Sequence, residues 1–183
     1  KGYVTDGHKY IEQALSKNVA AIVLDNNDAV PEYFIERNNA VKILVKNSRV
    51  ALAQLSNLFF GEPSKKITLI GITGTKGKTT TAFYLKNILE QSGAKVGLIG
   101  TMKNMVADKE IPTSLTTPEA NTINFLMNDM VTTGCKYCVM EVSSHSLQLH
   151  RVDFLDFDAA VFTNLTSDHL DFHETRENYL YAK

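Results

Sequence analysis

Residues Ile67 to Ile72 form an apolar, β-branched run, the pattern of a buried strand. The chain then turns through Gly74 and Gly77, and Leu85, Ile88 and Leu89 recur at helical spacing within Ala82 to Glu90. The same alternation continues on both sides. Upstream, Asp6 is placed to cap a helix from about Gly7 to Lys17 with Ile11, Ala14 and Leu15 on one face. Val19 to Leu24 and Val41 to Val45 read as strands, and Ser48 is placed to cap a helix with Leu52, Leu55, Leu58 and Phe59 at core spacing. Downstream, Lys95 to Ile99 predicts a strand, and the polar stretch Asn104 to Pro112 a mobile excursion. Pro118 suits the first turn of a helix running to about Thr133, with Ile123, Leu126, Met127 and Met130 inward and Gly134 as its cap. Tyr137 to Val142 and Ala159 to Phe162 predict two further strands, and Arg176 to Lys183 a helix.

Strands alternating with helices imply an α/β fold with a parallel sheet. Gly61-Glu-Pro-Ser-Lys-Lys66 interrupts the pattern with glycine, proline and charge, which marks a domain boundary. The prediction is a small N-terminal α/β domain over 1–62, lacking its front end, followed by a P-loop-type parallel-sheet domain over 63–183. The first residue is Lys1 and not Met, so a fragment of a longer protein is expected.

Composition narrows the function classes. With 44% hydrophobic and 21% charged residues, the 183-residue chain can bury a globular core. A net charge of −1 gives no basic footprint for nucleic acid. No apolar run approaches the ~18 residues of a membrane span, and no signal segment opens the chain. A cytoplasmic protein acting as a monomer is expected. Cys135 and Cys138 have C-x-x-C spacing, but they lead into a strand and not a helix, so reduced cysteines are expected and not a redox pair.

The chemistry starts at the glycine turn. A strand, a glycine loop and Gly77-Lys78-Thr79 opening a helix form the context of a phosphate-binding loop. Backbone N–H groups and the helix N-terminus favour phosphate oxygens, Lys78 would reach the β- and γ-phosphates, and the Thr79 hydroxyl would ligate Mg²⁺. The strict pattern misses by one residue, because its first glycine falls at Gly71 and Ile72 takes the expected place. Ligands of parallel sheets bind beyond the carboxyl ends of the strands. That rule selects Thr116-Thr-Pro118, Glu141-Val-Ser-Ser-His145 and Thr163-Asn-Leu-Thr-Ser-Asp-His169. Glu141 closes an apolar strand, where a carboxylate can hold Mg²⁺ opposite Thr79. His169 and His173 have the i, i+4 spacing of a zinc pair, but no glutamate follows the first, and one nucleotide-side and one structural histidine is the better reading. His145 and His150 are expected to be hydrogen-bonded strand-end residues. Ser143 and Ser144 lack a nucleophile elbow, so hydrogen bonding to a substrate is the preferred role.

Taken together, these stretches resemble the Mur ligases of peptidoglycan synthesis, most closely the branch that adds the third amino acid. The resemblance rests on Lys1-Gly-Tyr-Val-Thr-Asp-Gly-His8, Gly74-Thr-Lys-Gly-Lys-Thr-Thr80, Thr116-Thr-Pro118, Met140-Glu-Val-Ser-Ser-His-Ser-Leu147 with Arg151, Phe162 to His173, and Tyr179-Leu-Tyr-Ala-Lys183. It implies ATP-dependent amide ligation. A carboxylate of UDP-N-acetylmuramoyl-L-alanyl-D-glutamate takes the γ-phosphoryl group, and the amine of a diamino acid then attacks the acyl phosphate. By this resemblance Gly74, Thr75, Lys76, Gly77, Lys78, Thr79 and Thr80 hold ATP. Thr79, Glu141 and His169 serve Mg²⁺, and Lys183 matches a lysine that is carbamylated to become a magnesium ligand. Lys78, His169 and Lys183 are thereby the catalytic candidates. Thr116, Thr117, Ser143 and Arg151 would hold the UDP-sugar dipeptide, and Tyr3, Val4 and Thr5 a uridine-contacting turn. Lys76 departs from the usual Asn, as in folylpolyglutamate synthases, and Leu149 stands where a glutamine is common, with Gln148 one place off. Folylpolyglutamate or cyanophycin synthetases are the nearest alternative, and a non-catalytic nucleotide-binding module the alternative from another class. The family's chains continue past this segment, so the 183 residues are expected to be inactive alone, with the Lys183 amine hydrated at a fraying helix end.

Overall fold

A computed structural model describes residues 6–166 and 170–183. The chain separates into two compact units, Lys1–Ala51 and Leu52–Lys183. The division falls ten residues before the glycine–proline break at Gly61, inside a continuous helix.

The first unit holds α1 (Ile11–Leu15), β1 (Ala21–Leu24), α2 (Glu32–Arg37) and β2 (Val41–Leu44), and α3 (Ser48–Phe59) begins in it. β1 and β2 pair in parallel, with Ala21 opposite Val41. A parallel pair needs a crossover, and α2 supplies it. α2 has no counterpart in the sequence reading: six residues with Ile35 as the sole buried side chain carry too little periodicity to register. The expected helix at 7–17 is shorter. Asp6 does cap it, accepting from His8 N, but Gly7–Tyr10 is a 3₁₀ turn and only Ile11–Leu15 is α-helical. Ile11, Leu15, Leu24, Val30 and Ile35 form this unit's core.

α3 overturns two expectations. Asn47, not Ser48, caps it, accepting from Arg49 N and Val50 N at 2.9 and 3.3 Å. Its buried side chains are Ala53, Ser56 and Asn57. Leu52, Leu55, Leu58 and Phe59 are 42%, 51%, 58% and 83% exposed, so the apolar stripe faces away from the core. Small residues on the inner face permit close packing, and helical spacing alone does not say which stripe is covered.

The second unit is built on a six-stranded sheet in the order β6-β5-β4-β7-β3-β8. Its strands are β3 (Thr68–Thr73), β4 (Val96–Ile99), β5 (Asn104–Val106), β6 (Lys109–Ile111), β7 (Tyr137–Glu141) and β8 (Ala159–Phe162). β4, β7, β3 and β8 are parallel neighbours. β5 and β6 form an antiparallel hairpin where an excursion was expected, turning at Ala107 with φ +50°. α4 (Lys78–Gln91) follows β3. α5 (Ala120–Thr133) starts after Glu119, two residues later than Pro118 suggested, and ends on Gly134. Ile88 of α4 is 66% exposed, contrary to its spacing. The short helices α6 (Ser144–Gln148), α7 (Leu170–His173) and α8 (Arg176–Tyr181) complete the unit. Among the described residues, no helix is long and apolar enough to cross a membrane.

Leu69, Ile123, Met127, Met130 and Met140 fill one side of the sheet without any exposure. Ile72, Ala82, Val96, Leu98 and Val139 form a second apolar cluster. Because β3, β4, β7 and β8 run parallel, their carboxyl ends share one edge. Register places Ile72 opposite Glu141 and Thr73 opposite Phe162.

These exposures separate two substitutions. Met130→Ala should destabilise the protein by about 2–5 kcal/mol, the range for truncating a buried side chain. Phe59→Ser should stay within about 0.5 kcal/mol, as surface changes do. Urea unfolding followed by circular dichroism checks both, and the reverse ranking would contradict the inner face assigned to α3.

Candidate functional site

The site lies at the shared carboxyl edge. Gly74, directly after β3, has φ +140°, a backbone conformation that disfavours side chains. A Cβ there would also sit 2.0 Å from Thr163 Oγ1. Gly77 is left-handed, with φ +85°, and among the described residues no side chain caps α4. The first-turn N–H groups of that helix therefore lack intrahelical acceptors and stay available to an anion.

The segment after β8 holds the loop in shape. Thr75 N donates to Asn164 O (2.9 Å), and Lys76 N to Asn164 Oδ1 (3.1 Å). Thr163 Oγ1 and Asn164 Nδ2 donate to Lys76 O (2.7 and 2.9 Å). Thr75 is buried, its hydroxyl 3.0 Å from Tyr179 Oη. It serves the loop's fold, not its open face. Lys76 and Thr80 are exposed.

Two ammonium groups converge on the loop. Lys78 Nζ donates to Gly74 O (2.9 Å) and Thr75 O (3.1 Å). Lys183 Nζ donates to Gly74 O (3.0 Å) and Thr73 Oγ1 (3.3 Å), and lies 4.9 Å from the centre of the Tyr179 ring. The hydrated amine expected for Lys183 is therefore corrected: the helix capped by Thr175 carries it to the glycine loop after β3.

Opposite the loop stands Glu141, the last residue of β7, with no solvent exposure. Thr79 Oγ1 donates to its Oε2 at 2.8 Å. Thr101 N donates to Oε1 at 3.0 Å, and Thr101 Oγ1 lies 3.1 Å from Oε2. Gly100 admits this arrangement, because a Cβ there would fall 2.5 Å from Glu141 Oε1.

Beyond Glu141 a second group gathers around Thr117. Its buried hydroxyl donates to Glu141 O (2.8 Å) and accepts from Ser143 N (3.0 Å). Arg151 Nη1 donates to Thr117 O (3.0 Å), and Nη2 pairs with Glu119 at 2.7 Å. Thr116 Oγ1 lies 3.1 Å from Thr101 Oγ1. The structure thus brings together Gly74 to Thr79, Glu141 and Lys183 on one side and Thr116, Thr117, Ser143 and Arg151 on the other. Tyr3, Val4, Thr5 and His169 lie outside the described residues.

Sequence reasoning missed Thr101, Gly100 and Glu119; it selected the stretch that holds Asn164 and quoted Tyr179 without giving either a role. Thr101 was findable in principle, since it follows a buried strand at the same sheet edge. The other histidines have local roles. His173 is buried and 2.8 Å from Ser144 Oγ, and the His145 ring lies 4.0 Å from that of Phe172. His145 belongs to α6, not a strand end. His150 is 2.8 Å from Asp153.

The glycine loop, the buried acid and the threonine loop stand together on one sheet edge, and comparison with known proteins says which family builds such an edge. The family model of the Mur ligase middle domain matches residues 72–183. The chain belongs to the Mur ligase family. It is 51% identical over 183 residues to the UDP-N-acetylmuramoyl-L-alanyl-D-glutamate–2,6-diaminopimelate ligase of Caldanaerobacter subterraneus subsp. tengcongensis, covering 100% of this chain and 37% of that one. The ligase of the same name from Clostridium tetani is 51% identical over 187 residues, with the same coverage. The chain therefore spans 37% of the length of these Mur ligases. Among solved structures, a Mur ligase from Thermotoga maritima in complex with ADP superposes with a TM-score of 0.61 at 27% identity, covering 100% of this chain and 37% of that one. A UDP-N-acetylmuramoyl-L-alanyl-D-glutamate–2,6-diaminopimelate ligase superposes with a TM-score of 0.78 at 23% identity, over 96% of this chain and 34% of that one, which shows the shared fold.

In this Mur ligase chain the paired cysteines are not poised for redox chemistry. Burial raises the thiol pKa of both Cys135 and Cys138, so both stay protonated at neutral pH and little thiolate is available to react. With intact protein at pH 8, a disulfide reagent should titrate almost no thiol within minutes, and both after denaturation. Immediate reaction of either in the folded protein would contradict this.

Proposed function

We propose that the protein carrying this chain is an ATP-dependent ligase that joins a diamino acid to the glutamate carboxylate of UDP-N-acetylmuramoyl-L-alanyl-D-glutamate. It would do so through an acyl phosphate, acting in the cytoplasm as a monomer. The observation that carries this reading is the single sheet edge on which a phosphate loop faces a buried carboxylate, with a polar threonine loop directly beyond it. The identity to diaminopimelate ligases along the whole chain supports it.

In this reading the N–H groups at the start of α4 bind the phosphates of ATP, and Lys78 leaves the Gly74 and Thr75 carbonyls to meet the β- and γ-phosphates. Lys76 and Thr80 flank the same loop. Thr79 and Glu141 offer hard oxygen donors within 2.8 Å of each other, a set suited to Mg²⁺. Thr79, Glu141, His169 and Lys183 would hold the magnesium ions, which supply charge neutralisation on the moving phosphoryl group. For Lys183 this requires a carbamate on an amine that now donates to Gly74 O. Thr116, Thr117, Ser143 and Arg151 orient the UDP-sugar dipeptide, with the Arg151 guanidinium meeting an anionic part of it. Tyr3, Val4 and Thr5 would contact its uridine.

Two substitutions test the assignment. Lys78→Ala should abolish measurable ATP binding in calorimetry, and unchanged affinity would sink the phosphate-loop role. Arg151→Ala should raise the Michaelis constant for the UDP-dipeptide far more than that for ATP. A charged, bidentate contact of this kind is worth about 1.5–3 kcal/mol, roughly 10–150-fold. Equal effects on both substrates would show that Arg151 only supports the Thr117 loop.

A further inference from the structure

Thr101 stands where the two halves of the site meet. It is exposed, so no core packing demands its side chain. Yet its hydroxyl lies 3.1 Å from Glu141 Oε2 and 3.1 Å from Thr116 Oγ1. A hydroxyl carries one hydrogen and can donate to only one of these at a time. The backbone fixes its place: Thr101 N donates to Glu141 Oε1 at 3.0 Å, which Gly100 permits by having no Cβ.

We propose that Thr101 is a positioning residue that couples the nucleotide half of the site to the acceptor half through the direction of this one hydrogen bond. The proposal rests on the function proposed above, in which Glu141 serves Mg²⁺ and Thr116 contacts the UDP-dipeptide. With the carboxylate unligated, it is the stronger acceptor, and Thr101 donates to Glu141 Oε2. Thr116 Oγ1 then receives no hydrogen from Thr101. When Oε2 is engaged by a divalent cation, the Thr101 hydrogen turns to Thr116 Oγ1, the other acceptor within its reach. That bond holds the Thr116 hydroxyl as an acceptor on its Thr101 side and leaves its own hydrogen for an anionic or carbonyl oxygen of the acceptor substrate. No proton changes owner; the Thr101 hydroxyl rotates. Occupation of the nucleotide side thereby strengthens acceptor binding, and by linkage the reverse holds equally.

The test is calorimetric and uses the protein as its gene encodes it. Affinity for UDP-N-acetylmuramoyl-L-alanyl-D-glutamate is measured with and without saturating Mg²⁺ and a non-hydrolysable ATP analogue. The wild type should bind the dipeptide more tightly with nucleotide present, by a factor within the usual coupling range of about 5–150. Thr101→Ser keeps the hydroxyl and should keep the factor. Thr101→Val keeps the backbone N–H and the side-chain shape, and should bring the factor close to one while each ligand still binds. Thr116→Val should lose the same factor, and the double variant should lose nothing further. A factor near one in the wild type, or an unchanged factor in Thr101→Val, overturns the relay alone. If Thr101→Val does not fold, an unchanged factor in Thr116→Val overturns it equally. Failure of the wild type to bind either ligand overturns the proposed function and the relay with it.

Discussion

A carboxylate taken wholly out of water costs several kcal/mol unless donors replace its hydration, and Glu141 has no exposure at all. Its two oxygens are met by the Thr79 hydroxyl, the Thr101 hydroxyl and the Thr101 N–H. Two residues supply these three donors, and each brings a different piece of chain to one point. Thr79 fixes the start of α4, Thr101 the end of β4, and the Glu141 carbonyl holds Thr117 and with it the loop before α5. Removing the acid would leave these donors facing each other without an acceptor. The site's shape is in this sense the solvation shell of one carboxylate.

The sheet makes that shell possible. Parallel pairing of β4, β7, β3 and β8 aligns four carboxyl ends, and register sets Glu141 opposite Ile72, one residue short of the end of β3. Two exclusions then follow from close approach. No side chain fits at Gly100 beside Oε1, nor at Gly74 beside Thr163. Lys78 and Lys183 both donate to Gly74 O, and each holds a second oxygen, Thr75 O for Lys78 and Thr73 Oγ1 for Lys183, so the two side chains tie the loop to the start of α4 and to the end of α8.

Much of this was legible in the residues. The run Ile67 to Ile72 followed by Gly77-Lys78-Thr79 located the glycine loop between β3 and α4, and the rule that ligands sit past strand ends selected Thr116, Glu141 and the segment after Phe162, which the structure gathers at one sheet edge. What was not legible depended on contacts between distant segments. Thr101 carries no pattern of its own and matters only because register brings it to Glu141. The inward face of α3 was misjudged because leucine spacing marks an apolar stripe without saying what covers it, and Ala53, Ser56 and Asn57 are the residues that meet the core. The hairpin at Asn104 to Ile111 was hidden by its polar composition, since one strand has all three residues exposed or half-exposed.

In the proposed function, Glu141 joins the glycine loop to a divalent cation. The most direct measurement is the ATP affinity of Glu141→Gln with magnesium and with a chelator. The amide keeps the volume and loses the charge. The wild type should bind ATP more tightly with magnesium. The variant should lose that increment and keep the magnesium-free affinity, because the loop and Lys78 remain. An equal magnesium-dependent gain in the variant would contradict the account.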